Sequence, residues 1–264
     1  MKKIILLSAF SIALTACGSA PTANNSAAAG NAVPSPVVSP TTTPQPAATA
    51  ALPLAGEKIS SPRTIRFAGD KIPEGWQWID PDSENNPTSH EMSSGKFTMK
   101  IPTGKDLFGE NRTAPRLLKA IEGDFQIETR VRFDPTEDYQ GAGLLIYVDG
   151  MNYLRLERSF GGLREGGSGI RLDVRKHDQY EPVTTPGEIP TSAKEVELKI
   201  VRRGHIFTAF WREDESSEWR EVEEFASDFP DTVQAGILGC NTASVISAEF
   251  AYIRLLPQPV TKPF

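Results

Sequence analysis

Charged and aromatic side chains alternate with apolar ones along several short segments in the middle of the chain. Carboxylates and guanidinium groups hydrogen-bond hydroxyl groups, and aromatic rings pack on the apolar faces of sugar rings. The residues of this set are Arg130, Arg132, Tyr147, Tyr153, Arg155, Glu157, Arg171 and Asp173. On one sheet face they would form a groove suited to carbohydrate. The alternative is a ladder of charge pairs between strands that stabilises the sheet and binds nothing.

Motifs for catalysis are incomplete. The jelly-roll glucanases place two carboxylates on one strand face with a Glu-x-Asp-x-(x)-Glu run, but here Glu122-Gly-Asp124 continues with Phe-Gln-Ile. Gly166–Ile170 lacks the last glycine of a nucleophile elbow. Three histidines lack the spacing of a zinc site or a triad: His90, His177 and His205. We therefore expect no catalytic residues, and a divergent glycoside hydrolase is the less favoured alternative.

The segment Asp80–Glu91 carries oxygen-bearing side chains at alternate positions, as an EF-hand calcium loop does. However, Asn85 replaces the glycine that the sharp turn of such a loop requires, and Pro87 interrupts the segment. We expect a solvated turn loop with no metal, and we expect no cofactor elsewhere. Calcium bound in another geometry is the alternative.

The elements that position these residues are short strands. In Asp124–Arg158, apolar and polar residues alternate over Phe125–Phe133, which is typical of a strand with one buried face. Gly143–Val148 is apolar on both faces, Gly150 supplies a turn, and Asn152–Arg158 alternates again. The pattern predicts three consecutive strands in an antiparallel meander.

Similar short runs, separated by turn signals, continue from residue 63 to residue 256 and predict an all-β antiparallel sandwich of about twelve strands. Arg116–Ile121 is the one segment compatible with a helical turn or two. Residues 257–264 contain three prolines and are expected to be a tail. The other predicted strands are Thr64–Phe67, Trp76–Ile79, Lys96–Ile101, Gly169–Arg175, Glu195–Val201, Ile206–Trp211, Trp219–Phe225, Gln234–Cys240 and Ser247–Leu255.

The first residues have the features of a lipoprotein signal. Lys2 and Lys3 precede a short apolar run, and Leu14-Thr-Ala-Cys17 matches the bacterial lipobox. We expect residues 1–17 to be a signal peptide whose Cys17 is lipidated, which predicts export and a lipid anchor in the cell membrane or the outer membrane. An ordinary secretory signal beside an unrelated cysteine is the alternative. Residues 18–62 are rich in Ala, Pro, Ser and Thr and predict a disordered tether.

The charge balance limits the classes of binding partner, and the cysteine content limits the possible disulfide bonds. The chain has 28 basic and 34 acidic residues, and removal of Lys2 and Lys3 leaves 26 against 34, a net charge of −8. This balance opposes nucleic-acid binding and electrostatic adhesion to anionic lipid. Cys240 is the only cysteine besides Cys17, so we expect no internal disulfide and a buried, unreactive thiol.

Several segments follow one another as they do in a known family: Gly75–Trp78, Asp106–Phe108, Gly123–Phe125, Tyr139–Leu144, Asp149 with Asn152–Leu156, and Ala248–Phe250. The chain from about Arg63 to Leu256 thus resembles the concanavalin A-like jelly-roll family, which includes yeast regulation-of-enolase proteins and β-xylosidase C-terminal modules. Members of this family often have tryptophan at the position of Phe108. The resemblance implies a jelly-roll sandwich. It also implies that Asn111 and Arg112 reach over the rim of the polar sheet face.

These observations favour a membrane-tethered lipoprotein whose non-catalytic, lectin-like sandwich binds an oligo- or polysaccharide. The alternative in another class is a structural or protein-interaction lipoprotein of the cell envelope. The two hypotheses differ in what they require of the surface. A lectin-like module needs an open polar groove with an exposed aromatic ring, whereas a docking protein needs a contiguous apolar patch.

Overall fold

The computed structural model of the chain describes residues 55–161, 167–184 and 189–258, and all of its regular elements are β-strands. The first eight strands are β1 Glu57–Lys58, β2 Arg63–Ile65, β3 Gln77–Ile79, β4 Ser89–Ser93, β5 Lys96–Ile101, β6 Arg116–Glu122, β7 Phe125–Arg132 and β8 Gln140–Asp149. The second eight are β9 Asn152–Phe160, β10 Ser168–Lys176, β11 Gln179–Pro182, β12 Glu195–Arg203, β13 Ile206–Arg212, β14 Arg220–Ala226, β15 Thr232–Cys240 and β16 Ile246–Pro257.

The strands form two sheets of eight. Sheet A has the order β1-β6-β15-β8-β9-β10-β11, and β3 also pairs with β6. Sheet B has the order β14-β13-β12-β7-β16-β5-β4, and β2 also pairs with β16. Among the described pairings only β1 with β6 is parallel. The all-β sandwich predicted from the sequence is therefore confirmed, with sixteen strands rather than about twelve.

The main apolar core contains inward-facing side chains of both sheets. Ile127 and Val131 of β7 are fully buried in it, and so is Leu156 of β9, while Leu154 is 1% exposed. These residues sit at the alternate positions that the sequence pattern assigns to a buried face. The alternation within single strands was thus predicted correctly.

A second, smaller apolar cluster lies on the opposite face of sheet A. Leu107 and Ala114, from the connection between β5 and β6, cover Leu145 of β8 and Tyr153 of β9 there. The Tyr153 hydroxyl donates a hydrogen bond to the backbone oxygen of Leu107. This connection therefore covers part of a sheet face that would otherwise contact solvent.

Two predictions about the elements were wrong. Arg116–Ile121 forms strand β6, because Leu117 and Leu118 face opposite sides of sheet A and join the two different clusters. The predicted meander is also wrong, since β7 lies in sheet B whereas β8 and β9 lie in sheet A. The connection after β7 contains Pro135 and is too long for a tight hairpin, so the chain crosses between sheets. The consecutive antiparallel strands are instead β8 to β11.

The sandwich also begins earlier than residue 63. Glu57–Lys58 pairs with β6, and Ile59 is 6% exposed within the main core, so these residues do not belong to a tether. Cys17, the signal segment and residues 18–54 lie outside the described residues, as do residues 259–264 of the predicted tail. Within the described ranges there is no helix long and apolar enough to cross a bilayer.

Candidate functional site

A cleft of about 660 Å³ opens on the outer face of sheet A, beside the small apolar cluster. Its floor is made by Arg155 of β9 and Arg171 of β10. Its walls come from loops and from the edge strand β11, and they are Asp106, Phe108, Tyr139, Tyr180, Pro182 and Thr242. Its volume lies within the roughly 300–1,000 Å³ that small-molecule sites occupy.

The floor is a square of alternating charges that strand register creates. Arg155 on β9 stands opposite Asp173 on β10, and Glu157 stands opposite Arg171. Because the two residues on each strand are two positions apart, all four side chains project from the same face. Gly141 on the neighbouring strand β8 leaves the space that the Glu157 carboxyl fills, since a Cβ atom there would lie 2.8 Å from that carboxyl carbon.

Asp173 links the two arginines of the square. Its Oδ2 lies 3.0 Å from Arg155 Nη2 and 2.8 Å from Arg171 Nε, although the latter ion pair is not aligned as a hydrogen bond. Glu157 Oε2 lies 3.3 Å from Arg171 Nη2 and 3.6 Å from Arg155 Nε. Both carboxylates are fully buried. A charge buried this deeply requires such partners, because desolvation would otherwise be very costly.

The pKa shifts follow from this burial and pairing. Burial lowers the pKa of the Arg155 guanidinium, but Glu157 and Asp173 together raise it well above its ordinary value. The pKa of Arg171 is raised in the same way, with burial opposed by Asp173 and Glu157. Burial also raises the pKa of the Tyr180 hydroxyl, and Asp173 adds to the effect. Both arginines and the tyrosine therefore keep their protons at neutral pH.

Aromatic rings form the rim. Phe108 and Tyr180 meet edge to face with ring centroids 4.8 Å apart. Phe108 and Tyr139 remain 50% and 49% exposed. Tyr139 also has a φ of +66°, a left-handed conformation that is strained for an aromatic residue and often marks functional sites. Exposed rings beside a buried polar floor are suited to binding a ligand with one apolar and one polar side.

Comparison with known proteins shows which family the chain belongs to and which solved structures share its fold. The family model described as "Protein of unknown function (DUF1349)" matches residues 84–257. The chain belongs to this DUF1349 family. No curated protein matches its sequence.

Solved structures similar to this DUF1349 chain share its fold at low sequence identity. A functionally unknown protein from Saccharomyces cerevisiae is 15% identical with a TM-score of 0.55, and the match covers 72% of this chain and 97% of that one. The GH43 protein BlXynB from Bacillus licheniformis is 15% identical with a TM-score of 0.60, covering 74% and 39%. A xylan β-1,4-xylosidase from Bacillus halodurans is 18% identical with a TM-score of 0.56, covering 73% and 38%. The DUF1349 chain thus spans about two fifths of these two glycosidases.

The structure brings together only part of the predicted groove. Arg155, Glu157, Arg171 and Asp173 meet in the charge square, as the strand pattern predicted. Tyr153 lies on the same face but is 1% exposed and packs under Leu107 rather than facing the cleft. Burial raises its pKa to about 12. Its role is therefore to hold the loop that carries Phe108.

Arg130 and Arg132 are not part of the groove, because β7 belongs to sheet B. Arg130 Nη2 lies 2.7 Å from Glu197 Oε1 of β12, whereas Arg132 is exposed at the surface. The prediction that they share a face with Arg155 is wrong. Alternation along a strand assigns its faces but not the sheet that it joins.

Three more predicted residues lie beside the cleft rather than in its wall. Tyr147 packs with its ring 4.8 Å from the Arg116 guanidinium carbon. Asn111 donates from its side chain to the Gly104 oxygen at 2.9 Å and stabilises the β5–β6 connection. The Arg112 guanidinium lies 4.0 Å from Asp178 at the β10–β11 turn. The loop that carries Asn111 and Arg112 does lie at the rim of the cleft, as expected. Neither side chain, however, reaches into the cleft.

The wall residues were missed as ligand-binding candidates. Asp106, Phe108 and Tyr139 lie within the segments that carry the family resemblance, and this was the available signal. Tyr180 and Pro182 belong to β11, a strand that the sequence pattern did not indicate. Thr242 follows β15 in another loop.

The loop from Asp80 to Glu91 is organised by a buried lysine. The fully buried Lys105 ammonium lies 3.0 Å from Asp80 Oδ1 and 3.6 Å from Asp82 Oδ2, and Thr88 donates its backbone N–H to Asp80 Oδ2 at 2.6 Å. The Lys105 ammonium therefore occupies the position beside these carboxylates where a metal cation would have to bind. Across the described part of the chain, no three metal-ligating side chains come together. The absence of bound calcium remains a prediction.

Proposed function

We propose that the cleft on sheet A binds carbohydrate and that the domain is a non-catalytic, lectin-like module. The observation that carries the proposal is the pairing of exposed Phe108 and Tyr139 rings with a floor of buried charged groups. Pyranose rings have hydroxyl groups at their edges and apolar C–H faces, which match such a site. In this proposal the rings contact the C–H face and polar groups that line the cleft, including the Asp106 carboxylate, bind the hydroxyls.

The surface composition favours this function over a protein-docking module. Only four large apolar side chains are exposed among the described residues, and they are Phe108, Tyr139, Met151 and Val245. Two of the four line the cleft. A docking face would require a contiguous apolar patch of several hundred Å², so the exposed aromatic surface is better explained by the cleft itself.

A glycan array probed with the full chain in detergent tests the proposal. Because one similar structure is a xylan β-1,4-xylosidase, xylo-oligosaccharides are the first probes for calorimetry. We expect saturable binding that Phe108→Ala weakens. Failure to bind any glycan on the array would contradict the proposal. Release of reducing sugar that is lost in Asp106→Asn, whose carboxylate lines the cleft, would identify a hydrolase instead.

We also propose that the module is held at a membrane by lipid on Cys17, as the lipobox and the low-complexity segment after it suggest. Several acyl chains provide stable anchoring where one chain is marginal. Cys17→Ser should leave the sandwich folded but abolish acylation and release the protein from membranes. Fractionation of both forms tests this. If Cys17→Ser remains in the membrane fraction, the anchor lies elsewhere.

A further inference from the structure

The charged groups around the cleft point to a class of saccharide. Five charged side chains contact one another there: the carboxylates of Asp106, Glu157 and Asp173, and the guanidinium groups of Arg155 and Arg171. Three negative charges face two positive charges, so the cluster has a net charge of −1. The whole chain is also acidic, with a net charge of −6. An anionic ligand therefore meets repulsion both from the site and from the surrounding protein.

The hydrogen bonds show that the arginines do not offset this repulsion. Arg155 is saturated, because it contacts Asp173, Asp106 at 3.4 Å, the Cys240 sulfur at 3.3 Å and the Tyr180 hydroxyl at 3.5 Å. Arg171 contacts both buried carboxylates and donates to the Gly161 oxygen at 3.3 Å. Arg171 Nε and Nη2 already lie 2.8 Å and 3.3 Å from the two buried carboxylates, so a ligand carboxylate or phosphate would have to compete with these contacts for a bidentate pair. The positive charge of both arginines is thus already balanced by carboxylates of the same site.

Asp106 differs from the other two carboxylates. Its Oδ1 accepts from the Leu107 backbone N–H at 2.7 Å and from Arg155, whereas its Oδ2 receives no hydrogen bond from the described residues. Glu157 and Asp173 are fully buried and do not contribute to the surface of the cleft, whereas Asp106 does. Asp106 Oδ2 is therefore the acceptor available to a ligand, and a sugar hydroxyl is a suitable donor to it.

We propose that the cleft selects neutral saccharides and rejects those bearing uronic acids, and that Asp106 is the specificity-determining residue. This inference rests on the proposed carbohydrate binding. A sugar hydroxyl donates to Asp106 Oδ2, and the apolar ring face packs on Phe108 and Tyr139. A ligand carboxylate in the same place would lie beside the Asp106 carboxylate, and both arginines of the floor already face carboxylates of the protein. The cleft volume of about 660 Å³ suits a short oligosaccharide or a chain end.

The test compares neutral and acidic oligosaccharides of matched length on the full chain by calorimetry. Suitable pairs are tetragalacturonate with its fully methyl-esterified, neutral form, and xylotetraose with its glucuronic acid-substituted form, which has the same backbone length. At low salt we expect the acidic member to bind about 10-fold more weakly or worse. The ratio should shrink at high ionic strength, because salt screens partly exposed charges. This measurement needs no variant.

Asp106→Asn removes the charge but keeps an oxygen that can accept from the Leu107 N–H. In this variant the affinities for the neutral and the acidic oligosaccharide should lie within about 3-fold of each other, since one repulsive charge is gone. Asp178→Asn is the matched control, because Asp178 is exposed, pairs with Arg175 and does not line the cleft. It should leave the ratio unchanged.

The outcomes separate this inference from the function on which it rests. If acidic members bind as well as neutral ones at low salt, or if Asp106→Asn folds and leaves the ratio unaltered, charge selection by Asp106 is wrong while carbohydrate binding stands. If no neutral or acidic oligosaccharide binds, on these probes or on the array, the proposed function fails and the inference fails with it.

Discussion

In each sheet a fully buried carboxylate lies between two arginines, and the two sites differ in what covers them. On sheet A, Asp173 lies between Arg155 and Arg171, whose side chains are 3% and 5% exposed. On sheet B, Glu197 lies between Arg130 and Arg212, whose side chains are 27% and 14% exposed. The first site lies under loops that shape a cleft, whereas the second faces outward. The same pairing of residue types thus forms the floor of a cleft in one place and a surface network in the other.

The aromatic residues beside each site differ in the same way. On sheet B the Trp219 ring has the Lys199 ammonium 4.2 Å from its centroid and the Arg212 guanidinium carbon 4.4 Å from it. Two cations therefore already pack against the Trp219 ring. On sheet A the rings of Phe108 and Tyr139 are half exposed. An aromatic residue near charges is therefore a binding candidate only where its face is uncovered.

The largest expected difference concerns the two carboxylates. Asp173→Ala should lower the free energy of unfolding by about 3–5 kcal/mol, because it leaves two deeply buried arginines without this partner. Glu197→Ala should cost about 1–3 kcal/mol, because Arg130 and Arg212 can reach water. Urea unfolding of the two variants measures both effects. Equal losses would mean that the covering loops do not change the environment of the charges.

The next effect concerns the loop that covers sheet A. Tyr153→Phe removes the hydroxyl that bonds the Leu107 oxygen and leaves a buried acceptor unpaired, at an expected cost of about 1–3 kcal/mol. Tyr147→Phe is the control, since its ring packs beside Arg116 and should retain that contact. We also expect weaker glycan binding in Tyr153→Phe alone, because Phe108 follows Leu107. Unchanged binding and stability in Tyr153→Phe would show that this hydrogen bond does not position the wall of the cleft.

The sequence predicted the faces of single strands but not their assembly. Alternation placed Leu154 and Leu156 in the core and Arg155 and Glu157 opposite them, because a strand repeats every two residues. It placed Arg130 on the wrong sheet, since the choice of sheet depends on pairing with β12 and β16, which are far along the chain. Local pattern contains no information about such non-local pairing.

The cleft was harder to predict for the same reason. Its walls come from four separate regions, around residues 106–108, 139, 180–182 and 242, which only the folded sandwich brings together. Loop residues also have no periodicity that would mark them. The floor, by contrast, lies on adjacent strands β9 and β10, and the register of a single antiparallel pair creates the whole charge square.

A smaller effect compares exposed and covered rings. Phe108→Ala and Tyr139→Ala should each weaken glycan binding about 10-fold, as loss of a central aromatic contact commonly does. Both should leave the urea midpoint nearly unchanged, because half-exposed side chains contribute little to the core. Trp219→Ala provides the matched aromatic control on sheet B and should not alter glycan affinity. Binding that depends on Trp219 and not on Phe108 would assign the site to sheet B.

The smallest expected effect is at Arg132, on the outer face of sheet B. Arg132 is exposed and forms no ion pair with the residues that the structure describes, so Arg132→Ala should change the free energy of unfolding by less than about 0.5 kcal/mol. It should not change glycan affinity, because β7 and the cleft belong to different sheets. Arg171 was predicted from the same alternating pattern, and Arg171→Ala should lower both the free energy of unfolding and the glycan affinity. A loss of glycan binding in Arg132→Ala with normal unfolding would show that sheet B also contacts the ligand, and the division between a binding sheet and a structural sheet would then be wrong.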